Sequence, residues 1–172
     1  MYLSTTIKSK ITKKTSLTSG DFSPKTAIQA NKESRIHEWA CDFLDSPGGN
    51  KNMAKGMRKR LKEDKLYWFG PINFPLAEFE RCCGPETGME YPEAKNKWTR
   101  RLNALRKAIR NGEKLPVVIV NPRPWPLLSV RDGNHRYEAL CLENKKKYWT
   151  LFWFDDKKDK QKFKQKYKNL IH

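Results

Sequence analysis

Five consecutive residues carry most of the chemistry this sequence can express: Asp132, Gly133, Asn134, His135 and Arg136. They follow a short apolar run, Leu127 to Val130, and open a segment with helical character from His135 to Leu142. A helix N-terminus presents unpaired N–H groups and a partial positive charge, so it favours anions. A glycine ahead of it lets main chain approach a bulky oxyanion closely. An imidazole donates to an oxygen, and a guanidinium grips phosphate through two N–H groups. Gly133, Asn134, His135 and Arg136 are therefore candidate phosphate ligands. Asp132 is an acid beside an anion site, suited to hold Mg2+, bond a ribose hydroxyl or accept a proton. The combination points to a nucleotide polyphosphate. Taken singly, the same residues are an Asp-Gly turn with Asn134 as a helix cap. The strand before them and the helix after them tip the balance towards function.

Charge supports a phosphate-bearing partner. The 172 residues hold 36 Lys and Arg against 19 Asp and Glu, a formal +17, and the pI is near 9.8. Residues 1–30 contribute +4, residues 155–172 another +4, and the intervening body +9. A basic body attracts nucleotides, DNA or another polyanion; the plainer reading is a solvated lysine-rich surface. Mean hydropathy is -0.88, and no apolar run approaches the ~20 residues of a bilayer span, so no membrane insertion is expected. Four cysteines make no disulfide scaffold. Together with the lack of an apolar leader they suggest a reducing, cytoplasmic setting. The cysteines form no Cys-X-X-Cys pair, and adjacent Cys82 and Cys83 suit a tetrahedral zinc site poorly.

The elements that must position these residues follow from hydrophobic period. Residues 1–30, rich in Ser, Thr and Lys, suggest a flexible basic tail. Residues 31–66 suggest a helical extension, with Ser34 as a cap before Ile36, Trp39 and Phe43, and a second helix striped by Met53, Met57 and Leu61. Ile72 to Phe79 suggests a strand, and residues 82–86 a loop. Trp98, Leu102, Leu105 and Ile109 stripe a helix from Lys97 to Asn111, with Gly112 behind it as a natural stop. Its outer faces carry Arg100, Arg101, Arg106 and Lys107, candidate contacts to nucleic acid or simply a solvated surface. Val117 to Val120 are four β-branched residues in a row, the mark of a strand covered on both faces. Tyr148 to Phe154 is a final aromatic strand. Residues 157–172 form a lysine-rich helix or tail with Phe163, Tyr167 and Leu170 at helical spacing. Most tryptophans suit a core, though Trp125, just before the motif strand, can instead stack on a base.

Residues 114–120, 130–140 and 148–154, with Asp-Gly-X-His-Arg ahead of a helix, resemble the ParB/sulfiredoxin superfamily. The resemblance covers residues 70–154. It implies a mixed α/β (α+β) domain over 67–156, a small mixed sheet with flanking helices, and a nucleotide site at the motif. Members include CTP-hydrolysing partition proteins, sulfinic-acid reductases, free-serine kinases and plasmid-encoded ATPase/DNases. Asn134 stands where sulfiredoxins carry a cysteine, which argues against sulfinic-acid reduction. The ~30 residues after the motif helix leave no room for the helix-turn-helix domain of a partition protein. Kinase members use a glutamate after the first strand, and Glu86 in Gly84-Pro85-Glu86-Thr87-Gly88 holds a comparable place, with Glu90 as competitor. On that resemblance Glu86, Asp132 and His135 are catalytic. Glu86 activates a hydroxyl or water, Asp132 helps hold Mg2+, and His135 and Arg136 bind the transferred phosphate.

The expected function is thus an ATP-binding (or other nucleoside-triphosphate-binding) ATPase or Mg2+-dependent DNA nuclease. One alternative is a kinase acting on a small-molecule or protein hydroxyl. The other is a non-catalytic basic regulator that binds nucleic acid or protein.

Overall fold

The computed structural model describes residues 21–47, 49–61 and 66–171. Three helices come first: α1 (Pro24–Lys32), α2 (Ile36–Asp45) and α3 (Lys51–Leu61). Strand β1 (Tyr67–Pro75) leads through a 3-10 turn into three short strands, β2 (Phe79–Arg81), β3 (Cys83–Gly84) and β4 (Tyr91–Pro92). Helix α4 (Lys95–Arg110) follows, then β5 (Val118–Pro122), β6 (Leu128–Asp132), α5 (Asn134–Leu142), β7 (Lys147–Phe154) and α6 (Lys157–Lys166). The main sheet runs β1-β7-β5-β6-β2. Its β1/β7 and β5/β6 pairs are antiparallel, while β5/β7 and β2/β6 are parallel. The class is therefore mixed α+β, a five-stranded mixed sheet flanked by helices. No helix among the described residues is long and apolar enough to cross a membrane.

The central β-branched run explains how the layers form. Alternate side chains of a strand face opposite ways, and here both faces are covered. Val117, Ile119, Leu151 and Trp153 pack with Trp39, Phe43, Leu44 and Met57 of α2 and α3. Val118, Val120, Phe152 and Phe154 pack with Leu140 of α5 and with Phe163 and Tyr167 at α6. The C-terminal segment thus docks through Phe163 and Tyr167, while Leu170 stays 36% exposed.

Several local expectations change. Residues 1–20 of the expected tail lie outside the described residues, as does the Leu61 side chain. Residues 24–30 of that same stretch are helical: Ser23 Oγ accepts the Thr26 N–H, Pro24 opens α1, and Ala27 and Ala30 are buried. Ser34 does not cap α2; it has φ +56, and Arg35 holds the cap position without a side-chain bond. The aromatic run at 67–69 belongs to β1, which carries a register shift between Phe69 and Ile72. Gly70 occupies that shift with φ +96, and a Cβ there would lie 2.7 Å from Thr150 O. Gly70→Ala should lower stability by ~1–3 kcal/mol, because both the backbone angle and the space exclude a side chain. A reduced urea midpoint at unchanged slope checks this.

Stability should also fall as the medium is acidified below neutrality. His37 of α2 is buried, and its Nδ1 accepts the Trp68 Nε1–H at 3.0 Å. Cys41 Sγ lies 3.4 Å from its Nε2. Burial lowers the His37 pKa, and the Arg58 charge adds to this against Glu38. In the window between that lowered value and the ordinary ~6.5, the unfolded chain binds more protons than the folded one. The urea midpoint should therefore drop between pH 7.5 and 5.5, and part of that slope should vanish in His37→Gln. His135 contributes with the same sign.

Candidate functional site

Strand β6 ends at Asp132 and the chain turns at Gly133, with φ +90, into α5. A Cβ at Gly133 would lie 2.7 Å from Arg136 Nη2, so glycine is needed for space as well as for angle. The Gly133 carbonyl accepts the Tyr137 N–H at 2.8 Å. No side chain caps the helix. The N–H groups of Asn134, His135 and Arg136 accordingly have no intrahelical acceptor and remain available to a ligand.

The motif side chains divide into those that build the turn and those that face outwards. Asn134 is buried, and its amide nitrogen donates to Val130 O at 3.0 Å. Its Oδ1 accepts the N–H groups of Cys82 (3.0 Å) and Cys83 (3.3 Å). Its side chain therefore staples the segment after β2 to the motif, and only its main-chain N–H is left for an anion. Arg136 Nη2 donates to Asp132 Oδ2 at 2.6 Å and to Val117 O at 3.1 Å. The guanidinium also lies 5.4 Å from the centre of the Phe43 ring. Asp132 and Arg136 are mostly buried and hold each other.

His135 stacks on Trp98 of α4, with ring centres 4.0 Å apart and planes at 30°. Its Nε2 lies 3.0 Å from Glu93 Oε2. Glu93 Oε1 is in turn 2.9 Å from Lys97 Nζ and 3.6 Å from Arg101 Nη1. Burial lowers the His135 pKa; the Glu93 charge opposes this, and Arg101, Lys97 and Arg136 reinforce it. Burial alone would raise the Glu93 pKa, but the Lys97 hydrogen bond and the His135 charge overcome it and the net shift is down. At neutral pH the pair is a neutral imidazole beside a carboxylate.

This pair opens on a groove of about 1140 Å³ between the start of α3, helix α4 and the motif. Five cationic side chains line it, Lys51, Lys97, Arg101, Arg131 and Arg136, against two carboxylates, Glu93 and Asp132. Buried polar atoms without partners are rare in folded proteins. Among the described residues six such side-chain atoms occur; Glu93 Oε1, His135 Nε2, Arg136 Nε and Trp153 Nε1 belong to residues that line the groove, while Arg81 Nη1 and Asn121 Oδ1 lie elsewhere.

No family model, curated protein or solved structure matches this chain.

Glu86 does not line the groove. Its carboxylate is exposed and accepts from Arg81 Nη2 at 2.7 Å, a bond that lowers its pKa. Glu90 is engaged by both terminal nitrogens of Arg131, at 2.6 and 3.0 Å. Glu93 is the carboxylate brought to the motif instead. Trp125 packs against the second core beside Lys166 and is absent from the groove lining; the ring at the motif is Trp98. Of the four candidate nucleic-acid contacts, only Arg101 lines the groove. Arg106 joins Arg110 on Glu143, with the Arg106 contact at 2.7 Å. Arg100 and Lys107 are exposed on α4. No cluster of three or more His, Cys, Asp or Glu side chains placed to share a metal ion occurs among the described residues.

Proposed function

We propose that the protein is a nucleotide-binding enzyme that holds a triphosphate in the groove at the N-terminus of α5 and hydrolyses phosphate bonds. Its substrates are ATP or another nucleoside triphosphate and, along the basic α4 side, the DNA backbone. The observation that carries this reading is the placement of His135. It sits at an uncapped helix N-terminus, stacked on Trp98 and 3.0 Å from Glu93 Oε2, in a groove with five cationic side chains. A helix terminus and a surplus of cations fit a polyanion. The resemblance of the Asp132–Arg136 motif to that of the ParB/sulfiredoxin superfamily supports the same reading.

Each residue then has a task. The open N–H groups of the first turn of α5 take phosphate oxygens. Lys97 and Arg101 neutralise charge at the mouth, and Asp132 fixes Arg136 as a positioned cation. Nε2 of His135 is turned to Glu93, which leaves Nδ1 to accept a proton from water. The water oxygen forms a bond to phosphorus, and the bond from phosphorus to the leaving oxygen breaks. The electron pair stays with that oxygen, and the water proton passes to His135. The two groove carboxylates are already engaged, Asp132 by Arg136 and Glu93 by Lys97, so they do not form a Mg2+ site, and Mg2+ would enter bound to the triphosphate and supply further charge neutralisation there.

The test is direct. Purified protein with Mg2+ should release inorganic phosphate from ATP or nick supercoiled plasmid. Product analysis separates hydrolysis from transfer to an acceptor hydroxyl. Neither phosphate, nor nicking, nor a phosphorylated acceptor would overturn the proposal.

A further inference from the structure

A second cavity of about 450 Å³ adjoins the groove. The two share Gly49, Asp132 and Arg136 among their lining residues, so they meet at the ion pair of the motif. The smaller cavity differs in chemistry. Phe22, Phe43 and Pro116 give it apolar faces, and Asp21 and Lys114 stand among its polar groups. Its size and mixed lining suit a compact organic group better than a second run of phosphates. Phe22 and Phe43 come from α2 and the segment before α1, outside the stretch that resembles a known superfamily.

Resting on the proposed triphosphate site, we infer that the small cavity is the nucleoside subsite. The polyphosphate lies in the large groove, and base and sugar enter between the N-terminal helices and the start of β5. The N-terminal segment is then part of the binding site and sets which nucleotide is accepted. Phe43 is buried between Trp39 and the Arg136 guanidinium, so the half-buried Phe22 ring is the aromatic surface left to a base, a contact any base can make. The Asp21 carboxylate and Lys114 ammonium offer one acceptor and one donor group for discrimination.

Calorimetric titration with inorganic tripolyphosphate and with ATP, CTP, GTP and UTP tests this. At least one nucleotide should bind about tenfold or more tightly than tripolyphosphate. Ser46→Trp and Pro47→Trp place a ring at the cavity from two positions just after α2. Both should erase the nucleotide advantage while leaving tripolyphosphate affinity unchanged. Equal affinity of wild type for tripolyphosphate and every nucleotide would overturn the subsite alone. So would an advantage that survives in both variants. Failure to bind any of the five ligands would overturn the triphosphate site itself.

Discussion

His135→Ala should lower the rate of phosphate release by ~10²–10⁴-fold, the usual contribution of a positioned general base. The loss should fall mainly on kcat, because the main-chain N–H groups of the first turn of α5 and the cations of α4 still bind the triphosphate. The pH dependence sharpens the test. A base must be unprotonated to act, and burial holds the His135 pKa below its ordinary value. The wild-type rate should therefore stay level as pH falls through ~6.5 and decline only below it. Glu93 opposes that shift through its charge. Glu93→Gln should lower the rate and move the acidic limb of kcat/KM to still lower pH. A limb that stays in place would mean that Glu93 does not act on His135.

Arg136→Met should destabilise the fold by ~3–5 kcal/mol, the cost of leaving one member of a buried ion pair unpartnered. Asp132 and Arg136 have side chains only 12% and 16% exposed, and Arg136 also satisfies the Val117 carbonyl. Asp132→Asn with Arg136→Met should recover part of the loss, because the double variant strands no charge. The coupling energy from the double-mutant cycle should reach ~1–3 kcal/mol by urea unfolding. An Arg136→Met cost below ~1 kcal/mol would place the pair in the range of a solvent-screened surface contact.

The sheet and motif are readable from the chain because their signals are local. Val117 to Val120 announce a strand covered on both faces, and Gly133 before an apolar helical stretch announces a turn into α5. The residues that complete the site are not local. Trp98 reads as one member of the apolar stripe of α4, and it is indeed buried. Its partner, however, is the His135 imidazole, a contact between α4 and α5 that no periodicity carries. Glu93 is hidden in the same way, although its place four residues before Lys97 is a usable sign. Glu86 attracts attention by its loop position, but Arg81, five residues earlier in the chain, takes its carboxylate. Asn134 looks like a cap or a phosphate ligand until Cys82 and Cys83 come within reach from a distant strand. α1 is masked by the polar composition around it, although Ser23-Pro24 is an orthodox helix start.

The central claim is that the groove at the N-terminus of α5 is a phosphate site, and Lys97 and Arg101 give the cleanest access to it. Both side chains are about half exposed, at 49% and 53%, so reversing their charge does not threaten the core. ATP with Mg2+ should be titrated into wild type and into Lys97→Glu/Arg101→Glu at low and moderate salt. Wild type should bind with an affinity that weakens as salt rises, and the variant should lose about tenfold or more. No binding by wild type, or equal affinity in the two proteins, would contradict the account.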